Sequence, residues 1–387
     1  MKVVIISCFS DKNAYNRGNF IYSYFKRRNH DCYVIYSEFD HKKKIYNRVN
    51  DDRWIPIRTI KYKKNLSIKR MISHFLFGMK TASIIKELKP DLIYVAVPPN
   101  SAAFFASKIA KKLNSRLIVD VVDLWPESLV IPQRIKWLAT PMLKIWKNLR
   151  ESPLKNANVV MLECNLYKEY LPKNKFIDEK TCTVYLSKLD QFNEINELTS
   201  YCNDVLNICY IGSINHIVDF DFLLKFLFEM KKNKPVKLHI IGLGEKKEWL
   251  ISKLNELEIP YIDYGEIYDE SEKNKIMLGC DFGFNIYKNQ TIIGLSYKSV
   301  DYFSAGLPLI NSIKGDTWKL VEQYNAGINC CSNDHLYAVK KISNLSKDEI
   351  VNMKKNAFKV YVNNFSYKVV QKKLDSVIKM AIGDEYN

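Results

Sequence analysis

The sequence predicts an α/β protein of two doubly wound, Rossmann-like domains facing a cleft, and three observations predict it. Short apolar runs rich in Val and Ile recur along the 387-residue chain, separated by stretches of helical periodicity. These runs lack the two-residue alternation of half-exposed strands, as expected for strands covered on both faces of a parallel sheet. The pattern stops at a polar stretch around Ser187–Asn203 and then starts again. One domain is therefore expected over residues 1–190 and a second over residues 205–364. In this architecture ligands bind beyond the carboxyl ends of the strands.

In the first half, strands are expected at Val3–Cys8, Cys32–Tyr36, Leu92–Val97, Leu117–Val122 and Val159–Leu162, with helices such as Phe20–Arg28 and Ala102–Leu113 between them. Three strand ends carry chemistry. After the first strand, Asn16-Arg17-Gly18-Asn19-Phe20 leads into a helix, which places Arg17 and Gly18 where a phosphate or an acceptor anion would sit. The signal is a single glycine without the dinucleotide fingerprint, and a plain βα turn explains it as well. After the fourth strand, Asp123-Leu124-Trp125-Pro126-Glu127-Ser128 is a loop, because Pro126 breaks the chain directly beyond the strand. Asp123, Trp125 and Glu127 are thus presented at the ligand-binding end; the lesser reading is that Asp120 and Asp123 merely cap the following turn. After the fifth strand, Glu163 either orients an acceptor hydroxyl or accepts its proton, or equally serves as an acid near the start of a helix at Leu166–Leu171.

The second half repeats the arrangement. Strands are expected at Leu206–Ile211, Val236–Ile241, Asp281–Ile286 and Pro308–Asn311, with helices at Phe220–Met230 and Glu245–Leu257. Phe365–Ile382 reads as a last amphipathic helix. The most informative segment is Gly294-Leu295-Ser296-Tyr297-Lys298-Ser299-Val300-Asp301, which continues through Tyr302-Phe303-Ser304-Ala305-Gly306-Leu307-Pro308-Leu309-Ile310. A glycine-serine loop opens a short helix whose first N–H groups attract phosphate. Lys298 adds a positive charge, and Asp301 supplies a carboxylate suited to vicinal hydroxyls such as those of a ribose.

Lys298 to Ile310 resembles the donor-site helix of glycosyltransferase family 4, whose pattern is of the type Lys-x-x-Glu/Asp-Tyr-x-x-x-Gly-x-Pro. Tyr210-Ile211-Gly212-Ser213-Ile214 resembles the first strand and glycine loop of that family's donor domain. Leu238 to Glu245 and Tyr264-Gly265-Glu266-Ile267 match its next turns, and Asp123 to Ser128 is similar to a loop of members that build bacterial surface polysaccharides. The resemblance implies the glycosyltransferase B-type (GT-B) fold, with residues 365–387 crossing back to the N-terminal domain. It implies a donor site of Gly212, Ser213, Glu266, Ile293, Gly294, Leu295, Ser296, Lys298 and Asp301. Three departures stand out. Val122 replaces a histidine common before the loop aspartate, Ser213 replaces an arginine, and Ile293 falls where the first of two acids usually lies.

Composition narrows the partners. The chain is 47% hydrophobic, yet no apolar run approaches the ~20 residues of a spanning helix. Met1-Lys2 is followed by an apolar run too short for a signal peptide, so a cytoplasmic location is expected. Nine cysteines without a C-x-x-C pair read as reduced, buried thiols with no metal cluster. The net charge of +17 lies wholly in the first half: residues 1–190 hold 35 Lys+Arg against 17 Asp+Glu. Apolar stretches with basic flanks, Ile68–Ile85 and the Trp-bearing Ile131–Leu149, suit either the sheet or an anionic membrane surface. Nucleic acid is not expected, because no recognition motif accompanies the charge.

With the resemblance, these readings converge on a nucleotide-sugar glycosyltransferase of the hexosyltransferase type, for which the resemblance implies a retaining mechanism. Its acceptor is expected to be a glycan, lipid-linked and at the inner face of the plasma membrane. Asp123 and Glu163 are the catalytic candidates, Arg17, Gly18 and Trp125 form the acceptor or phosphate loop, and no metal or other cofactor is expected. The absent acid at Ile293 keeps two alternatives open, a non-catalytic partner of another transferase and a nucleotide-sugar epimerase or hydrolase.

Overall fold

The computed structural model describes residues 1–383 except 13–15, 42, 65–66, 130, 132 and 189–203. From residue 189 onward the expected linker therefore lies outside the described residues. The chain separates into two compact units, Met1–Tyr185 with Gln371–Asn387, and Leu186–Val370.

The first unit is built on seven parallel strands: β1 (Lys2–Ile6), β2 (Asp31–Ser37), β3 (Trp54–Ile57), β4 (Leu92–Val97), β5 (Arg116–Val121), β6 (Val159–Leu162) and β7 (Thr181–Thr183). Their order is 3-2-1-4-5-6-7, so the winding reverses between β1 and β4. Pro56 interrupts β3 without cost, because β3 is an edge strand and its missing N–H faces no partner. The helices are α1 (Arg17–Lys26), α2 (Ile68–Leu88), α3 (Asn100–Leu113), α4 (Gln133–Asn156) and the single turn α5 (Lys175–Asp178). Among them α3 packs against both α2 and α4.

The second unit carries β8 (Leu206–Ile211), β9 (Val236–Ile241), β10 (Tyr261–Asp263), β11 (Phe282–Asn285), β12 (Leu309–Asn311) and β13 (Gly327–Asn329), all parallel, in the order 10-9-8-11-12-13. Its helices are α6 (Phe220–Met230), α7 (Lys247–Glu256), α8 (Glu270–Leu278), α9 (Tyr297–Ser304), α10 (Asp316–Tyr324), α11 (His335–Ser343) and α12 (Lys347–Asn364). The last helix, α13 (Tyr367–Ile382), belongs from Gln371 onward to the first unit. There Asp375 accepts hydrogen bonds from Tyr24 Oη and Arg28 Nη2, each at 2.6 Å.

The winding reverses between β8 and β11, and α9 is fixed at that point. These two strands pair only at Phe282 with Ile208 and Gly283 with Cys209, then diverge. Tyr302 of α9 fills the gap with no exposed surface. Its hydroxyl accepts the Ile211 N–H at 3.0 Å and lies 3.2 Å from the Cys209 carbonyl oxygen and 3.3 Å from that of Phe284. Gly283 makes this possible, since a Cβ there would lie 2.6 Å from the Tyr302 ring. Gly283→Ala is therefore expected to destabilise the protein by ~2 kcal/mol, with Tyr302 displaced. A urea melt measures that loss, and an unchanged midpoint would mean the ring has room to move.

Candidate functional site

The candidate site of the second unit starts from a row of asparagines. Asn285, Asn311 and Asn329 end β11, β12 and β13 and are paired neighbours in register. Asn285 and Asn311 are almost wholly buried, so their amides must find partners within the protein. Asn285 Nδ2 donates to Asn311 Oδ1 at 2.9 Å and to Ser299 Oγ at 3.0 Å, and Asn311 Nδ2 donates to Asn329 Oδ1 at 2.8 Å. The row grips the loop before α9. Ser296 Oγ donates to Asn285 Oδ1 at 3.3 Å and caps α9 by accepting the Ser299 N–H at 3.1 Å. The carbonyl of Gly294 accepts both the N–H and the hydroxyl of Thr317, at 2.9 and 3.0 Å. Leu295 is buried between these anchors. The loop Gly294–Ser296 is thus held from below by side chains that the sequence motif does not contain.

Lys298, in the first turn of α9, is the distinctive group. Its Nζ donates to Tyr210 Oη at 2.9 Å and lies 4.2 Å from the centre of the Tyr210 ring and 5.2 Å from that of Tyr287. No carboxylate pairs with it among the described residues. The side chain as a whole is half-buried, but its ammonium end is packed between the rings, and that burial brings its pKa down to about 7. Tyr287 is itself buried, which pushes its phenol up to about 12. Gly212, at the end of β8, has φ +105°, and a Cβ there would come 2.8 Å from Lys298 Cε. A glycine is needed here both for the backbone and for the lysine. Ser213 follows it, exposed, with its carbonyl accepting from Tyr210 Oη at 2.6 Å.

Asp301 lies one turn beyond Lys298, and its Oδ1 is 2.5 Å from Lys188 Nζ. Lys188 also pairs with Glu270 at 2.6 Å, and Glu270 with Lys273 at 2.5 Å. Burial penalises the Lys188 ammonium, but the two carboxylates outweigh it and raise its pKa. Lys188, which falls in the stretch expected as a linker, is therefore part of the site. Glu266 is exposed on the turn after β10 and accepts from Tyr268 Oη at 2.8 Å. Ile293 packs against the core of the unit, so the position of the missing acid is apolar in structure as well as in sequence.

In the first unit, Arg17 begins α1 but its guanidinium is already engaged. Arg17 Nε donates to Asp120 Oδ2 at 2.7 Å and Nη2 to Oδ1 at 3.3 Å, while Tyr94 Oη bonds the same carboxylate. Burial alone would lower the Arg17 pKa, but Asp120 outweighs it and the group is held more firmly charged. Arg17 Nη1 alone is without a hydrogen-bond partner among the described residues. Gly18 packs against Ser7 and Ser10, where a Cβ would lie 2.0 Å from Ser10 Oγ. Glu163 is buried at the end of β6, close enough to Arg17 to add to its charge stabilisation.

The loop after β5 is clamped. Asp123 Oδ1 accepts the Leu124 N–H at 2.7 Å and Ser128 Oγ–H at 2.6 Å, so it caps the turn; burial nevertheless raises its pKa. Glu127 is committed to the fully buried Arg150 through bonds of 2.7 and 2.9 Å. Trp125 is buried, stacked on His74 with centroids 5.6 Å apart, and covered by the Arg70 guanidinium at 4.3 Å. Neither His74 ring nitrogen has a hydrogen-bond partner among the described residues, and burial lowers its pKa to about 3, so the ring is neutral. Arg70 and His74 stand on one face of α2; the sequence showed that stretch as apolar with basic flanks, Arg70 included, but nothing in it singled out His74.

Two all-parallel sheets of seven and six strands, each reversing its winding after the first strand, define the GT-B fold. Among solved structures, sucrose-phosphate synthase from Thermosynechococcus elongatus is similar over 98% of this chain and 98% of its own, with a TM-score of 0.72 and 11% identity. Anabaena HepE, solved with UDP and glucose, is similar over 98% and 99%, with a TM-score of 0.68 and 12% identity. WaaG, a glycosyltransferase involved in lipopolysaccharide biosynthesis, is similar over 98% and 100%, with a TM-score of 0.68 and 10% identity. At these identities the likeness is one of fold. No protein-family model matches the sequence, and no curated protein matches it.

Proposed function

We propose that the protein is a glycosyltransferase that moves a sugar from a nucleotide-diphosphate donor to a glycan acceptor. The observation that carries this is Lys298, an ammonium held between two tyrosines without a carboxylate at the start of a helix, with Asp301 one turn on. A diphosphate would supply the missing counter-charge, and Asp301 would take the ribose hydroxyls while Lys188 orients its carboxylate. HepE and a trehalose-phosphate enzyme from E. coli, which share the fold, were solved with UDP-glucose and UDP-2-fluoro glucose.

The principal catalytic contribution in this reading is electrostatic. As the bond between the anomeric carbon and the phosphate oxygen breaks, negative charge grows on the diphosphate, and Lys298 with the Gly294–Ser296 amides stabilises it more than the ground state. The acceptor hydroxyl attacks the anomeric carbon on the same face, and its proton passes to the departing phosphate. The family resemblance suggests this retaining course. Asp123 and Glu163 position the acceptor hydroxyl. In this proposal the charge of the diphosphate is met by Lys298 and the loop amides, with no metal assigned a step.

The acceptor in this proposal is lipid-linked, of the kind used for surface polysaccharide, and the enzyme is peripheral at the inner face of the plasma membrane. No helix among the described residues is long and apolar enough to cross a membrane. Exposed Trp137, Leu138 and Ile145 on α4 support contact with one. The apolar packing of Ile293 favours a second reading, a partner subunit that binds nucleotide sugar without transferring it. Donor turnover measured with and without a membrane acceptor fraction separates these readings, and a hydrolase or epimerase from both. A transferase is stimulated by acceptor, a hydrolase or epimerase is indifferent to it, and a partner is silent in both.

A further inference from the structure

We propose a second binding site on the first unit, a groove between the C-terminal halves of α2 and α3 that takes the phosphate headgroups of anionic phospholipid. It goes beyond the transfer reaction and rests on that reading only for the presence of a membrane. The groove has a volume of about 1080 Å³ and is lined by Lys80, Lys86, Lys108, Lys111 and Lys112 over an apolar floor that includes Phe105. None of these five lysines forms an ion pair among the described residues; Lys80 Nζ donates to the Arg58 carbonyl at 2.9 Å, and no carboxylate neutralises the charge of the five. α3 contains no acidic residue and α2 only Glu87, which leaves the layer strongly cationic.

An apolar stripe leads into the groove. Ile68, Ile72, Phe75 and Met79 recur at intervals of a helical turn on α2 and are all exposed, and Met79 also lines the groove. Phe75 meets Phe105 edge-on at 5.4 Å, and Lys108 Nζ lies 4.2 Å from the Phe104 ring, so stripe and groove are one surface. Apolar side chains beside clustered lysines match the boundary between acyl chains and anionic headgroups, with Lys stems along the apolar floor and ammonium groups at the phosphates. A soluble polyanion would use the lysines but leave the stripe exposed; a bilayer accounts for both.

The test is co-sedimentation of the full chain with phosphatidylcholine vesicles, with and without roughly one-third phosphatidylglycerol. Wild type is expected to sediment only with the anionic vesicles. The triple variant Lys108→Glu, Lys111→Glu, Lys112→Glu should lose at least about 100-fold in vesicle affinity, its Gln counterpart somewhat less, and Ile72→Ser with Phe75→Ser about tenfold. An equal change in net charge at Lys168, Lys173 and Lys175, elsewhere on the unit, should alter affinity by less than about threefold. Nucleotide-sugar binding should be unchanged in every variant, so loss of vesicle binding and loss of donor binding are read separately. Equal losses from the two charge-reversal triples, no preference for anionic vesicles, or full binding by the groove triple would overturn the proposal.

Discussion

Replacing Lys298 with methionine is expected to raise the thermal stability of the protein and abolish its affinity for nucleotide sugars, two effects of opposite sign from one substitution. The stability gain follows from burial. The ammonium has a pKa of about 7 in the folded chain against 10.5 in its ordinary state, so between these values the unfolded chain binds more protons than the folded one. Stability of the wild type should therefore rise with pH from about 7 to 10.5, with the full burial penalty present below that window. The methionine variant has no such slope, and its advantage should be greatest at or below pH 7 and fade towards 10.5. Because the side chain is partly exposed, the gain is set at ~1–3 kcal/mol rather than the full value of the shift. The binding loss follows from the same group. Without it the diphosphate has no buried cation, and affinity should fall at least ~100-fold. In the wild type, binding should take up a proton above pH 7, so affinity declines as pH rises. A methionine variant that is less stable at pH 7 and still binds would show that Lys298 is a structural stem.

Asp120→Ala is expected to cost the first unit ~3–5 kcal/mol, the largest stability loss predicted for a single side chain in this protein. Asp120 has no exposed surface and Arg17 is 3% exposed, so removing the carboxylate strands a guanidinium with no water to replace its partner. Tyr94 would also lose the acceptor for its hydroxyl. The double variant Arg17→Met, Asp120→Leu should recover most of the loss, because the cost lies in the unpaired charge rather than in the absence of the pair. Urea unfolding of the three variants measures this directly. The pair limits what Arg17 can do for a ligand, since Nε and Nη2 face Asp120 and only Nη1 is left to meet an anion.

The parts of the fold legible in the sequence were those with long-period signals. Strands buried on both faces produce unbroken runs such as Val3–Ile6 and Leu92–Val97, and amphipathic helices produce stripes such as that of α6. The short edge strands β3, β7, β10 and β13 carry three or four residues each, too few to stand out, and β3 contains a proline. In the site, the motif from Gly294 to Asp301 could be read because loop, cap and helix are contiguous. Its supports could not. Asn285, Asn311 and Asn329 are isolated asparagines in sequence and become a row only when β11, β12 and β13 lie in register. Tyr210 and Tyr287 come together around Lys298 only when β8 and β11 are side by side. Arg17 shows the opposite case, a cation that looks available in sequence and is paired with a residue 103 positions away.

The measurement that most directly tests the proposed donor site is a thermal-shift titration of wild type and Asp301→Ala with UDP-, GDP- and dTDP-sugars. A ligand at ~100 times its dissociation constant adds roughly 2.7 kcal/mol, a shift of several degrees. Stabilisation of the wild type by one nucleotide class, lost in Asp301→Ala, is the expected result. No stabilisation by any of the three, or an equal shift in the variant, would contradict a nucleotide-sugar site built on α9.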